Sequence, residues 1–208
     1  MKFVTISDSH GYHKHLKLPS GDALIHAGDI SMRGDELSII NFLSWFSNQN
    51  YQYKILIAGN HDFYFERASS KEIKKMIPDD VIYLNNSSTT INNIKIWGSP
   101  ITPWFFDWAF NRYRGEQIKK YWDLIPEDTD IIITHGPVLG ILDSTTKAEH
   151  VGCEDLLNRV NKIKPLVHVC GHIHEAYGTI ENKGIKYINA SVLNERYQLT
   201  NAPIFFEL

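Results

Sequence analysis

KILIAGNHD, residues 54–62, decides how the rest of the chain is read. Ile55, Leu56, Ile57 and Ala58 form a short apolar run with β-branched members, the pattern of a buried strand, and Gly59 ends it. Asn60, His61 and Asp62 therefore stand at the carboxyl end of a strand, where open α/β sheets bind ligands. An Asn carbonyl binds hard cations, an imidazole binds a metal or moves a proton, and a carboxylate orients either. Taken alone, GNHD is also a good turn sequence. Its weight comes from repetition of the same pattern elsewhere.

Four more apolar runs stop in the same way. KFVTIS (2–7) ends at Asp8 and His10, and ALIHA (23–27) ends at Gly28-Asp29. DIIIT (130–134) ends at His135-Gly136-Pro137, and residues 166–170 end at Gly171-His172-Ile173-His174. On an extended backbone, residues two apart face the same side, which pairs Asp8 with His10 and His172 with His174. With Asp29, Asn60 and His135 this makes seven O and N donors and no thiolate. Burying such a set without a cation is costly. Its chemistry suits Mn, Fe, Co or Zn. Seven donors exceed one tetrahedral site and suit two ions sharing a carboxylate, an arrangement that clamps an in-line displacement at phosphorus with ions about 3.5–4 Å apart.

The remaining sequence is that of one globular domain, 1–208, with 43 % hydrophobic and 22 % charged residues and a net charge of −3. No linker, repeat or low-complexity tract divides it. No basic stripe is present, which argues against gripping long nucleic acid. No apolar run reaches membrane-spanning length and no signal peptide precedes the first strand. Cys153 and Cys170 form no disulfide framework, which fits a reducing, cytoplasmic setting. Helices are expected over 35–48, with Asp35 as N-cap and a face of Leu37, Ile40, Leu43 and Phe46 widened by Ile39, Phe42 and Trp45, and over 70–77, 114–124 and 152–163. Strands are expected at 81–84, 87–91, 94–98, 177–181, 185–189 and 203–207, with a hairpin turn at Asn92-Asn93. Residues 102–111 read as an aromatic loop.

DSH (8–10), GD (28–29), GNHD (59–62), TH (134–135) and GHIH (171–174), in this order, resemble the metallophosphoesterases, or calcineurin-like phosphoesterases. HGPVLGILD (135–143), GHIHEAYG (171–178), TPWF (102–105) and NAPIFFEL (201–208) resemble their MPPED-like branch, close to class III cyclic-nucleotide phosphodiesterases. The resemblance implies a four-layer αββα sandwich of two mixed β-sheets flanked by helices. It implies that Asp8, His10 and His174 hold one metal, that Asn60, His135 and His172 hold a second, and that Asp29 bridges them. A hydroxide bridging the two metals then attacks phosphorus in line, and His61 stabilises the developing charge or protonates the leaving oxygen. Some vertebrate members lose the position that is His172 here, and this chain keeps it. One departure stands out: many relatives carry GDxxD, whose second Asp orients the catalytic His, and Met32 occupies that place.

The expected substrate is a small phosphodiester or nucleotide. Two other readings are a weakly active metal-binding regulatory protein, which Met32 favours, and a nuclease acting on oligonucleotides, which lacks a basic groove. Arg33 either touches phosphate or faces solvent. Trp104, Phe105 and Trp108 either pack or stack on a base. His26 and His168 lie inside apolar strands and read as hydrogen-bonded core histidines. His13, His15 and His150 read as solvated loop residues, with His13 within possible reach of substrate, and Glu175 reads as an orienter of the neighbouring ligands.

Overall fold

A computed structural model describes all residues, 1–208. Strands β1 (Lys2–Ile6), β2 (Ala23–Ala27), β3 (Tyr53–Ile57) and β4 (Val81–Tyr83) run parallel in one sheet. A later strand returns to its edge and pairs antiparallel with β1. Between these strands lie helices α1 (Glu36–Ser47), α2 (Phe63–Arg67) and α3 (Ser70–Met76). Next come β5 (Ser87–Ile91), β6 (Ile94–Ser99), the short pair β7 (Thr102–Pro103) and β8 (Asn111–Arg112), and α4 (Glu116–Trp122). The chain ends with β9 (Ile131–Thr134), α5 (Glu154–Ile163), β10 (Val167–Cys170), β11 (Gly178–Asn182), β12 (Ile185–Asn189) and β13 (Ile204–Glu207), the strand that returns to β1.

The sheet orders are β13-β1-β2-β3-β4 and β11-β12-β10-β9-β6-β5, both mixed. Phe3, Ile25, Ile55 and Ile57 of the first sheet join Ile131, Ile133, Val167, Val169 and Ile188 of the second in one buried cluster, the layer between the sheets. The alternate residues Val4, Ile6, Leu24 and Leu56 share a second cluster with Ile39, Phe42, Leu43 and Phe46 of α1. The five motif-bearing strands read as unbroken apolar runs because both of their faces are covered, as in parallel sheets flanked by helices. This is the expected sandwich of two mixed sheets between helices.

Several local expectations need correction. Asp35 does cap α1, accepting from Ser38 N–H at 3.0 Å. Within the expected apolar face, however, Leu37 is 78 % exposed and Ile40 45 %. The buried stripe is Ile39, Phe42, Leu43 and Phe46, the i, i+3, i+4, i+7 set that 3.6-residue geometry favours over a strict three-residue step. α2 was not expected, and 102–111 is flanked by the paired β7 and β8. His13 is buried in a 3₁₀ turn, Tyr12–His15, against Phe42 and Trp45, and contacts Asn41 Oδ1 at 3.2 Å. It is therefore not solvated, and it does not line the cavity over the candidate metal centre. Asn92 and Asn93 both take positive φ, 45° and 63°, as a type I′ hairpin turn requires.

Candidate metal centre

The seven donors come together at the carboxyl ends of β1, β2, β3, β9 and β10. Three groups have ligand atoms mutually within 4.8 Å: Asp8 with His10 and His174, Asp29 with His135 and His172, and His10 with Asp29 and His61. Asn60 Oδ1 lies 2.9 Å from His135 Nε2. The convergence is not produced by extended backbone. Asp8, His10, Asp29 and His172 have φ of 54°, 41°, 56° and 70°. This left-handed region is rare for side-chain-bearing residues and clusters at functional sites. β1, β2 and β10 thus end in a sharp reversal that turns their donors inward. Two glycines make room: a Cβ at Gly59 would collide with Asp29 Oδ1, and one at Gly171 with Asp8 Oδ2.

Backbone groups fix the donors. Asp29 Oδ1 accepts from His61 N–H at 2.8 Å. Its Oδ2 is left facing His135 Nε2 at 3.2 Å and His10 Nε2 at 3.7 Å, between the two sets of donors. Asp8 accepts from His172 N–H at 3.0 and 3.1 Å and from the Ser191 hydroxyl at 2.7 Å, and lies 3.5 Å from His174 Nε2. Asp62, fully buried, accepts from the N–H groups of Ile30, Ser31 and Gly59 and from the Ser31 hydroxyl, tying the loop after β2 to the loop after β3.

Four site histidines share one orientation. His10 Nδ1 meets Ser31 O at 3.1 Å, His135 Nδ1 meets Ala27 O at 2.9 Å, and His174 Nδ1 meets Asn194 O at 3.0 Å. His61 Nδ1 meets Met32 O at 2.8 Å. A carbonyl only accepts, so each Nδ1 carries a proton and Nε2 is the nitrogen turned toward the cluster, the orientation that ligating histidines require. Met32 therefore fills the place of the absent Asp with its backbone carbonyl. The His10 Nε2 atom is buried with no hydrogen-bond partner. An orphaned lone pair among oxygen and nitrogen donors fits a divalent cation.

Electrostatics agree. Burial opposes the charged form of His10, His135, His172 and His174, and with the nearby His135 it holds His172 at about 4. It also lowers His10. In His135 the Asp29 carboxylate overcomes burial and lifts the group to about 9, and Asp8 does the same for His174. Burial would raise Asp8 and Asp29, yet these histidines hold both well below the usual carboxylate range. A cation held by the same carboxylates displaces the imidazole protons, so metal uptake is coupled to proton release.

A cavity of about 350 Å³ opens over the cluster, lined among others by His10, His61, Trp104, Trp108, Arg114 and Tyr197. Trp108 stacks on His61 with ring centres 4.2 Å apart. Arg33 is exposed and not in the lining. Arg114 is in it, outside the five motifs, with its guanidinium donating to the carbonyls of Val151 and Gly152 at 2.8 and 2.7 Å. Glu175 accepts from Thr146 N–H at 2.9 Å and supports no ligand histidine. Arg114, Tyr197, Ser191 and Asn194 escaped the sequence reading. No motif marks them, and only Arg114 carried a usable signal, as an arginine just after the aromatic stretch.

Fold and site together define a metal-dependent phosphoesterase. The profile of the family described as Calcineurin-like phosphoesterase matches residues 1–176, and the chain belongs to that family. It is 41 % identical over 230 aligned residues to the human Metallophosphoesterase domain-containing protein 1, covering all of this chain and 71 % of that protein. It is 34 % identical over 218 residues to UPF0046 protein K07C11.7 of Caenorhabditis elegans, covering 99 % of this chain and 74 % of that one. Among solved structures, one superposes with a TM-score of 0.62 at 16 % identity, covering 90 % of this chain and 89 % of its own. An archaeal structure described as a novel phosphodiesterase superposes with a TM-score of 0.50 at 16 % identity, covering 99 % and 100 %. These two likenesses concern the fold.

Proposed function

We propose that this chain hydrolyses small phosphodiesters, such as cyclic nucleotides, using two divalent or transition metal ions. The observation that carries the reading is the position of Asp29 Oδ2 between His10 and His135 beneath an open cavity. In this reading Asp8, His10 and His174 hold one ion, Asn60, His135 and His172 hold the other, and Asp29 is shared. Two such ions, when bound, supply positive charge against the phosphoryl oxygens and make water acidic enough to attack at neutral pH. Residues 1–208 act as one domain, since β13 completes the sheet begun by β1. Cys153 and Cys170 are free and buried, in keeping with a cytoplasmic setting.

His61 is the proton donor in this scheme. Its Nδ1–H is committed to Met32 O, so the proton it delivers to the leaving oxygen sits on Nε2. The stacked Trp108 ring holds the imidazole in place. Trp104 and Phe105, 43 % and 54 % exposed, supply the base-stacking surface. Trp104 is braced by Tyr113, stacked at 5.5 Å, and by its Nε1–H donated to Asp107 at 2.6 Å.

The charge inventory favours a diester over a monoester. A diester carries one negative charge at phosphorus, whereas a monoester dianion usually draws on extra arginines. Here Arg33 lies off the cavity and Arg114 is engaged by two carbonyls. The archaeal structural neighbour, described as a phosphodiesterase, points the same way. The test is kcat/KM of the Mn-loaded protein on bis(p-nitrophenyl) phosphate against p-nitrophenyl phosphate, then on cyclic AMP isomers against AMP. A monoester preference in both pairs defeats the reading. Trp104→Ala should raise KM roughly tenfold for nucleotides, as loss of one base stack does, and leave the nitrophenyl diester unchanged. Equal effects on both remove the stacking role.

A further inference from the structure

We propose that Tyr197 is a substrate contact that recognises the ester group retained on phosphorus; this rests on the phosphodiesterase reading above. Tyr197 lies beyond residue 176, where the family match ends, yet it lines the cavity over the metal cluster. Its ring packs edge-on against both His10 and His174, with centres 5.1 Å apart in each case.

The backbone holds it there against its own preference. Tyr197 has φ 58°, a left-handed conformation that a bulky side chain resists and that Gly or Asn would accept more readily. Asn194 maintains it. Asn194 O accepts from Tyr197 N–H at 2.9 Å, Asn194 Oδ1 accepts from Arg196 and Gln198 N–H, and Asn194 N–H donates to Gln198 O at 2.9 Å. The same Asn194 carbonyl accepts from His174 Nδ1. One carbonyl thus fixes both the aromatic ring and the histidine it covers. Strain of this kind, on a residue that is still 39 % exposed, is poorly explained by packing.

Position selects the group it meets. His61, the proton donor to the leaving oxygen, stacks with Trp108, so the leaving group departs on that side. Tyr197 packs instead on His10 and His174. The group facing it is the one that stays on phosphorus, and a flat ring there favours a large ester substituent over a small one.

The experiment compares two diesters with a common leaving group, bis(p-nitrophenyl) phosphate and methyl p-nitrophenyl phosphate, on the Mn-loaded full chain, with metal content measured for each variant. Tyr197→Ala should lower kcat/KM about tenfold on the bis-aryl ester and less than about twofold on the methyl ester. Tyr197→Phe, which keeps the ring, should restore the bis-aryl rate to within about threefold of wild type, and all variants should keep their metal. Equal losses on both esters, loss of metal, or failure of Tyr197→Phe to restore the rate overturns the assignment. Unchanged rates in Tyr197→Ala with active wild type overturn this inference alone. A wild type inactive on both diesters overturns the phosphodiesterase reading and this inference with it.

Discussion

The same strands carry two kinds of histidine. In mid-strand, His26 of β2 accepts from Gly28 N–H on Nδ1 and meets the Ser9 hydroxyl through Nε2 at 2.9 Å. His168 of β10 meets Thr134 Oγ1 through Nε2 at 2.8 Å, and that hydroxyl already gives its proton to Gly136 O. In both, Nε2 bears the proton and spends it on a protein oxygen. At the strand ends the order is inverted: Nδ1 of His10, His61, His135 and His174 is given to a carbonyl and Nε2 is kept. Burial alone does not make a ligand. What separates a structural imidazole from an available one is which nitrogen the backbone satisfies.

The contrast can be broken most severely at the strand ends. Asp29→Ala or His135→Ala should reduce turnover to background and lower bound metal from about two ions per chain, because each removes a donor facing the cluster. Elemental analysis beside the diester assay checks this, and full activity at one ion or fewer would break the shared-carboxylate arrangement. His61→Ala should keep its metal and lose about 10²–10⁴-fold in rate, the usual contribution of a general acid. A variant that lost metal but kept its rate per bound ion would move His61 from proton donor to ligand.

The mid-strand layer predicts an acid-lability term instead. Burial holds His168 down at about 3, below its ordinary 6.5. The unfolded chain therefore binds a proton that the folded chain refuses. The associated stability is fully present above about 6.5 and is lost as pH falls toward 3. Between pH 7 and 5.5 this amounts to about 1 kcal/mol. Urea unfolding in a chelator at both pH values should show wild type losing about that much more than His168→Gln, and equal losses would contradict a neutral buried imidazole. The smallest effect belongs to Arg33→Ala. Its side chain is exposed and off the cavity, so kcat/KM should shift by less than about twofold, whereas a tenfold loss would restore Arg33 as a phosphate contact.

The strand-end donors were legible because each closes an apolar run near a glycine, and His26 and His168 because they sit inside such runs. The carbonyls that orient the ring nitrogens were not legible. Any residue supplies a carbonyl, so Ser31, Ala27, Asn194 and Met32 carry no side-chain signal for that task. The GDxxD departure looked like a missing partner for His61 only because side chains are what a motif records. The left-handed backbone at Asp8, His10, Asp29 and His172 was equally hidden, since those residue types do not demand it. Leu37 and Ile40 misled for a simpler reason: apolar residues are common on surfaces, and one helix face cannot hold both the i+3 row and the full stripe.

The Ser191 hydroxyl on Asp8 spans 183 positions of sequence. A ribosome delivers roughly 5–20 residues per second. All seven candidate donors, the last being His174, are therefore made before Ser191 and Asn194, whose hydroxyl and carbonyl steady Asp8 and His174. The braces on the first and the last candidate donor thus close at the same stage of folding as the pairing of the final strand, β13, with the first.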